Sequence, residues 1–199
     1  KRECIEEFFG THYRGMEIVY SPEDTPLGTG GAIKRALSLC REDWVAVLNG
    51  DTYFDVDFST LDAVKRPGAV LLATKRMRDF DRYGALELDG VTVTAFREKA
   101  PCAEGLINGG VYLLERTALD AIEEDYFSFE TAVLEPLAQQ GNVLAVESAG
   151  FLIGTAPSTS MCIISIDRRI SSSSMECLRL SKNGMTGAIK SLLSRIRRE

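Results

Sequence analysis

The sequence contains a single histidine, five scattered cysteines and no CxxC pair. One histidine, His12, cannot support a Ser–His–Asp or Cys–His site, and the cysteine spacing argues against a zinc site or a disulfide framework. No run of eighteen apolar residues occurs, so no membrane-spanning helix is expected, and no charged-then-apolar segment suggests a signal peptide. Free thiols in a reducing compartment favour a cytoplasmic protein.

Positive charge is also in short supply. The chain has 23 Lys+Arg against 29 Asp+Glu, a net charge of -6, which argues against a nucleic-acid partner. This charge is unevenly distributed. Residues 1–155 contain 15 basic and 26 acidic side chains, whereas residues 156–199 contain 8 and 3 and are rich in serine. We therefore predict a domain over 1–155 and an atypical Ser-rich basic tail over 156–199.

Apolar runs alternate with helical patterns, which predicts an α/β fold with a Rossmann-like, mostly parallel sheet flanked by helices. Continuous apolar runs at Trp44–Leu48 and Val70–Ala73 are typical of strands buried on both faces of a parallel sheet. Further strands are predicted at Glu17–Tyr20, Val111–Leu114 and Asn142–Val146. Helices are predicted at 2–9, at Gly31–Cys40, and at Phe129–Gln139 with Ser128 as its cap.

An antiparallel hairpin is predicted within this pattern. Ala85–Leu88 and Val91–Ala95 flank Asp89-Gly90, whose glycine suits the positive φ of a type I′ turn. This hairpin would be an insertion in the α/β sheet.

The glycine-rich segment Pro26–Ala32 (PLGTGGA) lies just before a predicted helix. Its glycines would let the backbone approach a ligand, and the start of the helix offers unpaired N–H groups. It is not a Walker loop, because no Gly-Lys-Ser/Thr follows, and it lacks the GxGxxG spacing of a dinucleotide fold. Taken alone, it is compatible with either a ligand-binding loop or a tight turn.

Three other groups of residues could carry chemistry. Asp51 directly follows a buried strand, where open α/β sheets bind ligands, and one such carboxylate suits Mg²⁺. A turn or capping role for it is equally compatible. Lys99 could neutralise a phosphate and Asn108 could hydrogen-bond a polyol, although both could also be ordinary surface residues.

Seven segments occur in an order and spacing that define a pattern up to about Thr155. They are YSPE (20–23), PLGTGGAIK (26–34), LNGDTYFD (48–55), DFDRYG (79–84), FREK (96–99), GLINGGVYLL (105–114) and FSFE (127–130). Together they resemble the sugar-1-phosphate nucleotidyltransferases, and most of all the branch of heptose 1-phosphate and mannose-1-phosphate guanylyltransferases.

The resemblance implies a nucleotide-diphospho-sugar transferase fold and nucleotidyl transfer from GTP, or another nucleoside triphosphate, to a sugar 1-phosphate. Pyrophosphate would leave, and the cofactor would be Mg²⁺ held by Asp51, with Asp51 and Lys99 as the catalytic residues. The implied nucleotide-binding residues are Leu27, Gly28, Thr29, Gly30, Asn49 and Gly50. The implied sugar-phosphate-binding residues are Tyr83, Gly84, Glu98, Lys99 and Asn108. No nucleic-acid or membrane partner is expected, and a homo-oligomer is compatible with this reading.

The sequence departs from the family pattern in two places. The opening G-G-x-G-T-R-L loop has no counterpart, so we expect the 1–155 domain to lack its first βα unit. Where the family has F-I-D-I-G-T, this chain has Gly150–Thr155 (GFLIGT) without the aspartate, so no second carboxylate ligand is found. Ordinary divergence is one explanation of this difference, and the other hypothesis is a shifted reading frame at or near residue 152. The DNA across codons 145–165 tests it, because an alternative frame must encode an acidic residue and Pro-Glu.

Two other functions remain open at this stage. The departures favour a catalytically incomplete relative that binds nucleotide or sugar phosphate as a regulatory or assembly subunit. A glycosyltransferase is a weaker alternative, with Asp55-Val56-Asp57 as its Asp-x-Asp, although Asn49-Gly50-Asp51 and the later segments fit a nucleotidyltransferase better.

Overall fold

The computed structural model describes residues 2–13, 16–50, 52–150, 152–154 and 161–165. The chain divides into two compact units, one formed by Lys1–Pro22 and Asp167–Glu199 and the other by Glu23–Ile166. The Ser-rich tail over 156–199 falls mostly outside the described residues. Its boundary near residue 155 therefore stays a prediction.

The described residues of the first unit, 2–13 and 16–22, form one helix and a short strand pair. Helix α1 (Arg2–Phe9) confirms the predicted helix. Strands β1 (His12–Tyr13) and β2 (Met16–Glu17) pair antiparallel, so the strand predicted at Glu17–Tyr20 begins and ends earlier than expected. The hydroxyl of Tyr20 instead donates a hydrogen bond of 2.7 Å to the carbonyl oxygen of Gly10.

The second unit contains the main sheet. Its strands are β3 (Trp44–Asn49), β4 (Thr52–Phe54), β5 (Val70–Phe80), β6 (Gly84–Asp89), β7 (Thr92–Lys99), β8 (Cys102–Glu115), β9 (Val143–Glu147), β10 (Leu152–Gly154) and β11 (Met161–Ser165). Its helices are α2 (Gly28–Leu37), α3 (Phe58–Asp62), a π-helical segment (Glu130–Leu134) and α4 (Glu135–Gln139). Seven strands form one sheet in the order β11-β3-β8-β5-β9-β7-β6, and β10 pairs with β4 in a separate two-stranded sheet.

The fold is mixed α/β as predicted, but the prediction of a mostly parallel sheet is wrong for the described strands. Among them, the parallel pair is β5 with β9, and the other pairs are antiparallel. Strands β3, β5 and β9 run in one direction, and β8 runs in the opposite direction between β3 and β5. An apolar run indicates burial on both faces, but it carries no information about the direction of the neighbouring strand.

Both faces of the sheet are covered, which explains the apolar runs. On one face, Val45, Val47, Leu72 and Tyr112 pack with α2, the π-helical segment and α4. On the other face, Ala46, Leu71, Ala73 and Leu113 pack with residues of β4 and α3. Alternate residues of each central strand therefore enter two different cores, as the pleat of a strand requires.

The predicted hairpin is confirmed, with a different turn. Asp89 pairs with Thr92, so the two loop residues are Gly90 and Val91 rather than Asp89 and Gly90. Gly90 has φ of +60°. Val91 does not have positive φ, since the non-glycine residue with positive φ among those described is Asp79. Positive φ at the first loop residue alone is the pattern of a type II′ turn, not type I′.

The helix predicted at Phe129–Gln139 is divided into the π-helical segment and α4. Pro136 lies in the first turn of α4 and has no amide hydrogen, so the α-helical pattern cannot continue through it and the wider turn precedes it. Ser128 does act at the start, where its Oγ accepts a hydrogen bond from the amide of Thr131. Among the helices of the described ranges, none has the length and apolar character needed to cross a membrane.

Candidate active site

The glycine-rich loop forms the beginning of α2 and packs against residues 125–127. The amide of Gly30 donates a hydrogen bond of 2.9 Å to the carbonyl oxygen of Phe127. The amide of Phe127 in turn donates one of 3.2 Å to the carbonyl oxygen of Leu27. A Cβ atom at Gly28 or Gly30 would overlap Phe127, and one at Gly31 would overlap a backbone oxygen of the same segment. These glycines therefore have a packing role inside the protein, whatever ligand the loop binds.

Thr29 connects this loop to the π-helical segment. Its Oγ1 accepts a hydrogen bond from the amide of Phe129 at 2.8 Å and donates one to Oε2 of Glu130 at 2.8 Å. The same carboxylate oxygen accepts a bond of 2.9 Å from Ser128 Oγ. The single hydroxyl hydrogen of Thr29 is thus committed to Glu130, so the backbone of Thr29, not its hydroxyl hydrogen, is what remains for a nucleotide.

The end of β3 carries the next predicted group. Asn49 is the last residue of the strand, and Gly50 follows it as a turn residue. The side chain of Asn49 lies over Gly110, where a Cβ atom would overlap it, and Gly110 has φ of +70°. Asp51, the predicted metal ligand and catalytic residue, lies outside the described residues.

An irregularity in β8 shapes the centre of the site. Across the β5–β8 pair, Ala73 faces Val111 and Thr74 faces Asn108, so Gly109 and Gly110 are extra residues in β8. Such a bulge redirects the side chains beside it. The Oδ1 atom of Asn108 accepts the amide of Gly110 at 2.8 Å, which fixes the orientation of the Asn108 side chain across the bulge.

Tyr112 occupies the interior next to this bulge. Its hydroxyl accepts a hydrogen bond of 2.9 Å from Nδ2 of Asn108, and its ring packs edge-on against Phe129 with 5.2 Å between the ring centroids. The side chain is 1% exposed. Burial, and then the negative charge of Glu130, raise the pKa of the Tyr112 phenol, while the bond from Asn108 opposes the shift.

The register of the sheet brings the predicted sugar-phosphate residues together. Gly84, which follows Tyr83, pairs with Lys99, the residue after Glu98, and Ala85 pairs with Ile107, the residue before Asn108. Gly84 has no room for a side chain, because a Cβ atom would overlap the carbonyl oxygen of Arg97. Three segments that are distant in sequence therefore meet at one end of β6.

Glu98 and Lys99 are exposed at the end of β7, and Tyr83 is half-buried. Within the described part of the chain, no hydrogen bond or ion pair joins the Lys99 ammonium group to another residue. The group is therefore accessible to an anionic ligand.

Strand β10 is a candidate source of a second carboxylate, because it pairs with the strand that begins at Thr52. Strand β10 pairs with β4 so that Gly154 faces Thr52, the residue after Asp51, and β10 contributes Leu152, Ile153 and Gly154. No group of three His, Cys, Asp or Glu residues that could hold a metal ion occurs among the described residues. The second metal ligand that the sequence lacks is therefore not supplied by β10.

Comparison with known proteins defines the class. The family model for nucleotidyl transferases matches residues 1–151, so the chain belongs to that family. This confirms the resemblance drawn from the seven segments.

Individual relatives carry more specific names. The chain is 44% identical over 137 residues to a D-glycero-alpha-D-manno-heptose 1-phosphate guanylyltransferase of Campylobacter jejuni subsp. jejuni serotype O:2, which covers 68% of this chain and 61% of that protein. It is 42% identical over 138 residues to the protein of the same name from Aneurinibacillus thermoaerophilus, with 68% and 60% covered. The chain thus spans about three fifths of the length of these relatives.

Solved structures agree with this fold. HddC from Yersinia pseudotuberculosis, complexed with GMP-PN, is 32% identical with a TM-score of 0.60, covering 66% of this chain and 58% of that one. A putative glucose-1-phosphate thymidylyltransferase from Bacillus anthracis, 16% identical with a TM-score of 0.63 over 79% of this chain and 68% of that one, shares the fold.

Two residues of this network had been assigned no role from the sequence. Glu130 and Tyr112 both lie within segments that resemble the family, but the resemblance implied a role for Asn108 near Tyr112 and for no residue of the segment 127–130. No signal in the sequence distinguished Glu130, since Glu124, Asp125 and Glu135 lie close to it and its partner Thr29 is 101 positions away.

Proposed function

We propose that the protein transfers a nucleotidyl group from GTP, or another nucleoside triphosphate, to a sugar 1-phosphate of the heptose or mannose type. The products are the nucleoside-diphospho-sugar and pyrophosphate. Membership of the nucleotidyl transferase family supports this reaction, as do the relatives named guanylyltransferases. The observation that carries the proposal is the register that unites Gly84, Lys99 and the neighbourhood of Asn108 in a chain of this family.

The proposed roles follow the chemistry of each group. The backbone of Leu27, Gly28, Thr29 and Gly30, together with Asn49 and Gly50, binds the nucleotide. Tyr83, Gly84, Glu98 and Asn108 bind the sugar, and Lys99 compensates the charge of the sugar phosphate. The sugar phosphate oxygen attacks the α-phosphorus in line and pyrophosphate leaves, so positioning and charge stabilisation supply the catalysis and no protein nucleophile is required.

We further propose Mg²⁺ as the cofactor, with Asp51 as its protein ligand. Mg²⁺ is commonly bound through one or two carboxylates plus substrate phosphates, so one aspartate is compatible with it. When bound, the ion neutralises charge on the phosphates. We also propose the nucleotide-diphospho-sugar transferase fold for the complete domain, a cytoplasmic location and self-association.

The experiment that tests this proposal supplies GTP, Mg²⁺ and either mannose 1-phosphate or D-glycero-α-D-manno-heptose 1-phosphate, and follows pyrophosphate release. Release that requires both substrates supports nucleotidyl transfer. Measurable binding of GTP without any release contradicts it for this chain, and supports a binding subunit instead.

A further inference from the structure

The glycine loop and the centre of β8 are connected by a continuous series of contacts. It begins at Thr29, whose hydroxyl joins the amide of Phe129 and the carboxylate of Glu130. The ring of Phe129 packs on Tyr112, and Tyr112 accepts a hydrogen bond from Asn108. The two ends of the series, Thr29 and Asn108, are proposed to contact the nucleotide and the sugar. A residue in the middle of the series can therefore influence the position of both binding residues.

Glu130 is the charged group of this series. Its Oε2 accepts both the Thr29 and the Ser128 hydroxyls, at 2.8 and 2.9 Å. Hydrogen bonds to an ionised carboxylate are stronger than those between neutral groups, so this oxygen fixes the Thr29 side chain more firmly than a neutral partner would. Thr29 is the second residue of α2, and Gly30 directly after it is bonded to Phe127.

We propose that Glu130 is a positioning residue that acts through Thr29, holding the glycine loop in a fixed register with Phe129, Tyr112 and Asn108. It touches neither substrate. This inference rests on the proposed function and deepens it, because the loop it holds is the one proposed to bind the nucleotide. Loss of the Glu130 carboxylate should loosen the glycine loop, and the looser loop should bind the nucleotide more weakly.

The first measurement requires no ligand. Amide hydrogen exchange at Gly28–Gly31 in the full chain is compared among wild type, Thr29→Val, Thr29→Ser, Glu130→Ala and Glu130→Gln. Serine keeps the hydroxyl and glutamine keeps an acceptor oxygen, so both should exchange close to wild type. Alanine at position 130 should raise exchange in the loop about tenfold, as expected when a hydrogen bond to a charged group is lost, and valine at position 29 should raise it at least as much, because it also removes the acceptor of the Phe129 amide. Exposed Glu135, in the following helix, supplies the matched control Glu135→Ala.

The second measurement is kinetic. Thr29→Val and Glu130→Ala should each raise the KM for GTP about tenfold. The effects of the two substitutions should combine less than additively in the double variant, because either single variant already breaks the bond between Thr29 and Glu130. Thr29→Ser and Glu130→Gln should restore the KM for GTP to within about threefold of wild type, a rescue that general destabilisation would not produce. Circular dichroism confirms that each variant is folded.

The possible outcomes separate the two proposals. Unchanged exchange in Thr29→Val and Glu130→Ala overturns the positioning role, whatever the protein binds. Faster exchange with an unchanged KM for GTP also overturns it, and so do additive effects in the double variant. If the wild-type chain neither binds nor turns over GTP, the proposed function fails and its link to loop positioning fails with it. The exchange result still decides whether Glu130 holds the loop.

Discussion

The amide of Gly30 donates a hydrogen bond of 2.9 Å to the carbonyl oxygen of Phe127, and the ring of Phe127 fills the space that a side chain at position 30 would occupy. The loop at the start of α2 and the segment before the π-helical segment are therefore closely packed against each other.

Gly30→Ala tests this fit. The new Cβ atom would overlap the Phe127 ring, so we expect the free energy of unfolding to fall by about 2 kcal/mol, within the usual range for overpacking. Urea denaturation measures the change. Gly105→Ala is the matched control, because its Cβ atom would meet its nearest neighbours at 3.4 Å, and we expect a change below about 1 kcal/mol. Equal losses in both variants would contradict the tight packing at Gly30.

Gly110→Ala should be more harmful than Gly90→Ala. Both glycines have positive φ, of +70° and +60°, so alanine is strained at either position by about 1–2 kcal/mol. A Cβ atom at Gly110 would also overlap the side chain of Asn49, whereas Gly90 has no atom within 4 Å. We expect Gly110→Ala to lose at least about 1 kcal/mol more in urea denaturation. Equal losses in the two variants would contradict this prediction and show that the Asn49 side chain moves to make room for the new Cβ atom.

Tyr112→Phe should change how stability depends on pH. The pKa of the buried phenol is raised above its usual value of 10.0, so the folded state keeps a proton that the unfolded state releases. The stabilisation is present in full below pH 10 and is lost as the pH rises from there toward the folded-state pKa. The tyrosine contributes a slope of about -1.4 kcal/mol per pH unit in that window.

The phenylalanine variant should lack this part of the slope in urea titrations above pH 10. At neutral pH it should be less stable by about 1–3 kcal/mol, because Asn108 Nδ2 loses its acceptor. If the two proteins lose stability in parallel above pH 10, the Tyr112 phenol titrates normally and the structural account of its burial is wrong.

Lys99→Met should weaken the binding of the sugar 1-phosphate and leave the binding of GTP nearly unchanged. The ammonium group is exposed at the end of β7, where a phosphate could bind it, so its loss should raise the KM for the sugar 1-phosphate by about 10–100-fold. The KM for GTP should stay within about threefold. Arg41→Met removes a positive charge from an exposed residue between α2 and β3 and should change neither constant. An equal rise in both KM values would contradict the assignment of Lys99 to the sugar phosphate.

Local features of the fold were predictable from the sequence, and strand neighbours were not. The helix over 2–9 and the buried run at Trp44–Leu48 are confirmed because apolar spacing and burial on both faces leave direct traces in the sequence. Strand β5 extends well past the apolar run Val70–Ala73. Its second half carries Arg76, which pairs with Glu147 of β9, and such cross-strand partners are visible only once the register is known.

For the candidate site, too, local segments were predictable from the sequence and the contacts between them were not. The segments that form it were identified by their resemblance to a family, but the connections between them depend on pairs such as Thr29 with Glu130, 101 positions apart. Single-sequence reasoning has no means of finding such a pair, since each residue alone is unremarkable. The packing role of the loop glycines was likewise hidden, because it depends on Phe127, which is far from the loop in the sequence.

The position of β8 between β3 and β5 has a consequence for synthesis on the ribosome. Strands β3 and β5 run in the same direction, and among the described strands it is β8, beginning at Cys102, that joins them. When residues up to the end of β5 have left the ribosome, the nascent chain therefore contains two apolar strands, while β8, their shared hydrogen-bonding partner, has not yet emerged. Until residues 102–115 leave the exit tunnel, the edges of β3 and β5 that later pair with β8 are open to other chains, so we expect the nascent chain to be prone to misassociation in this interval.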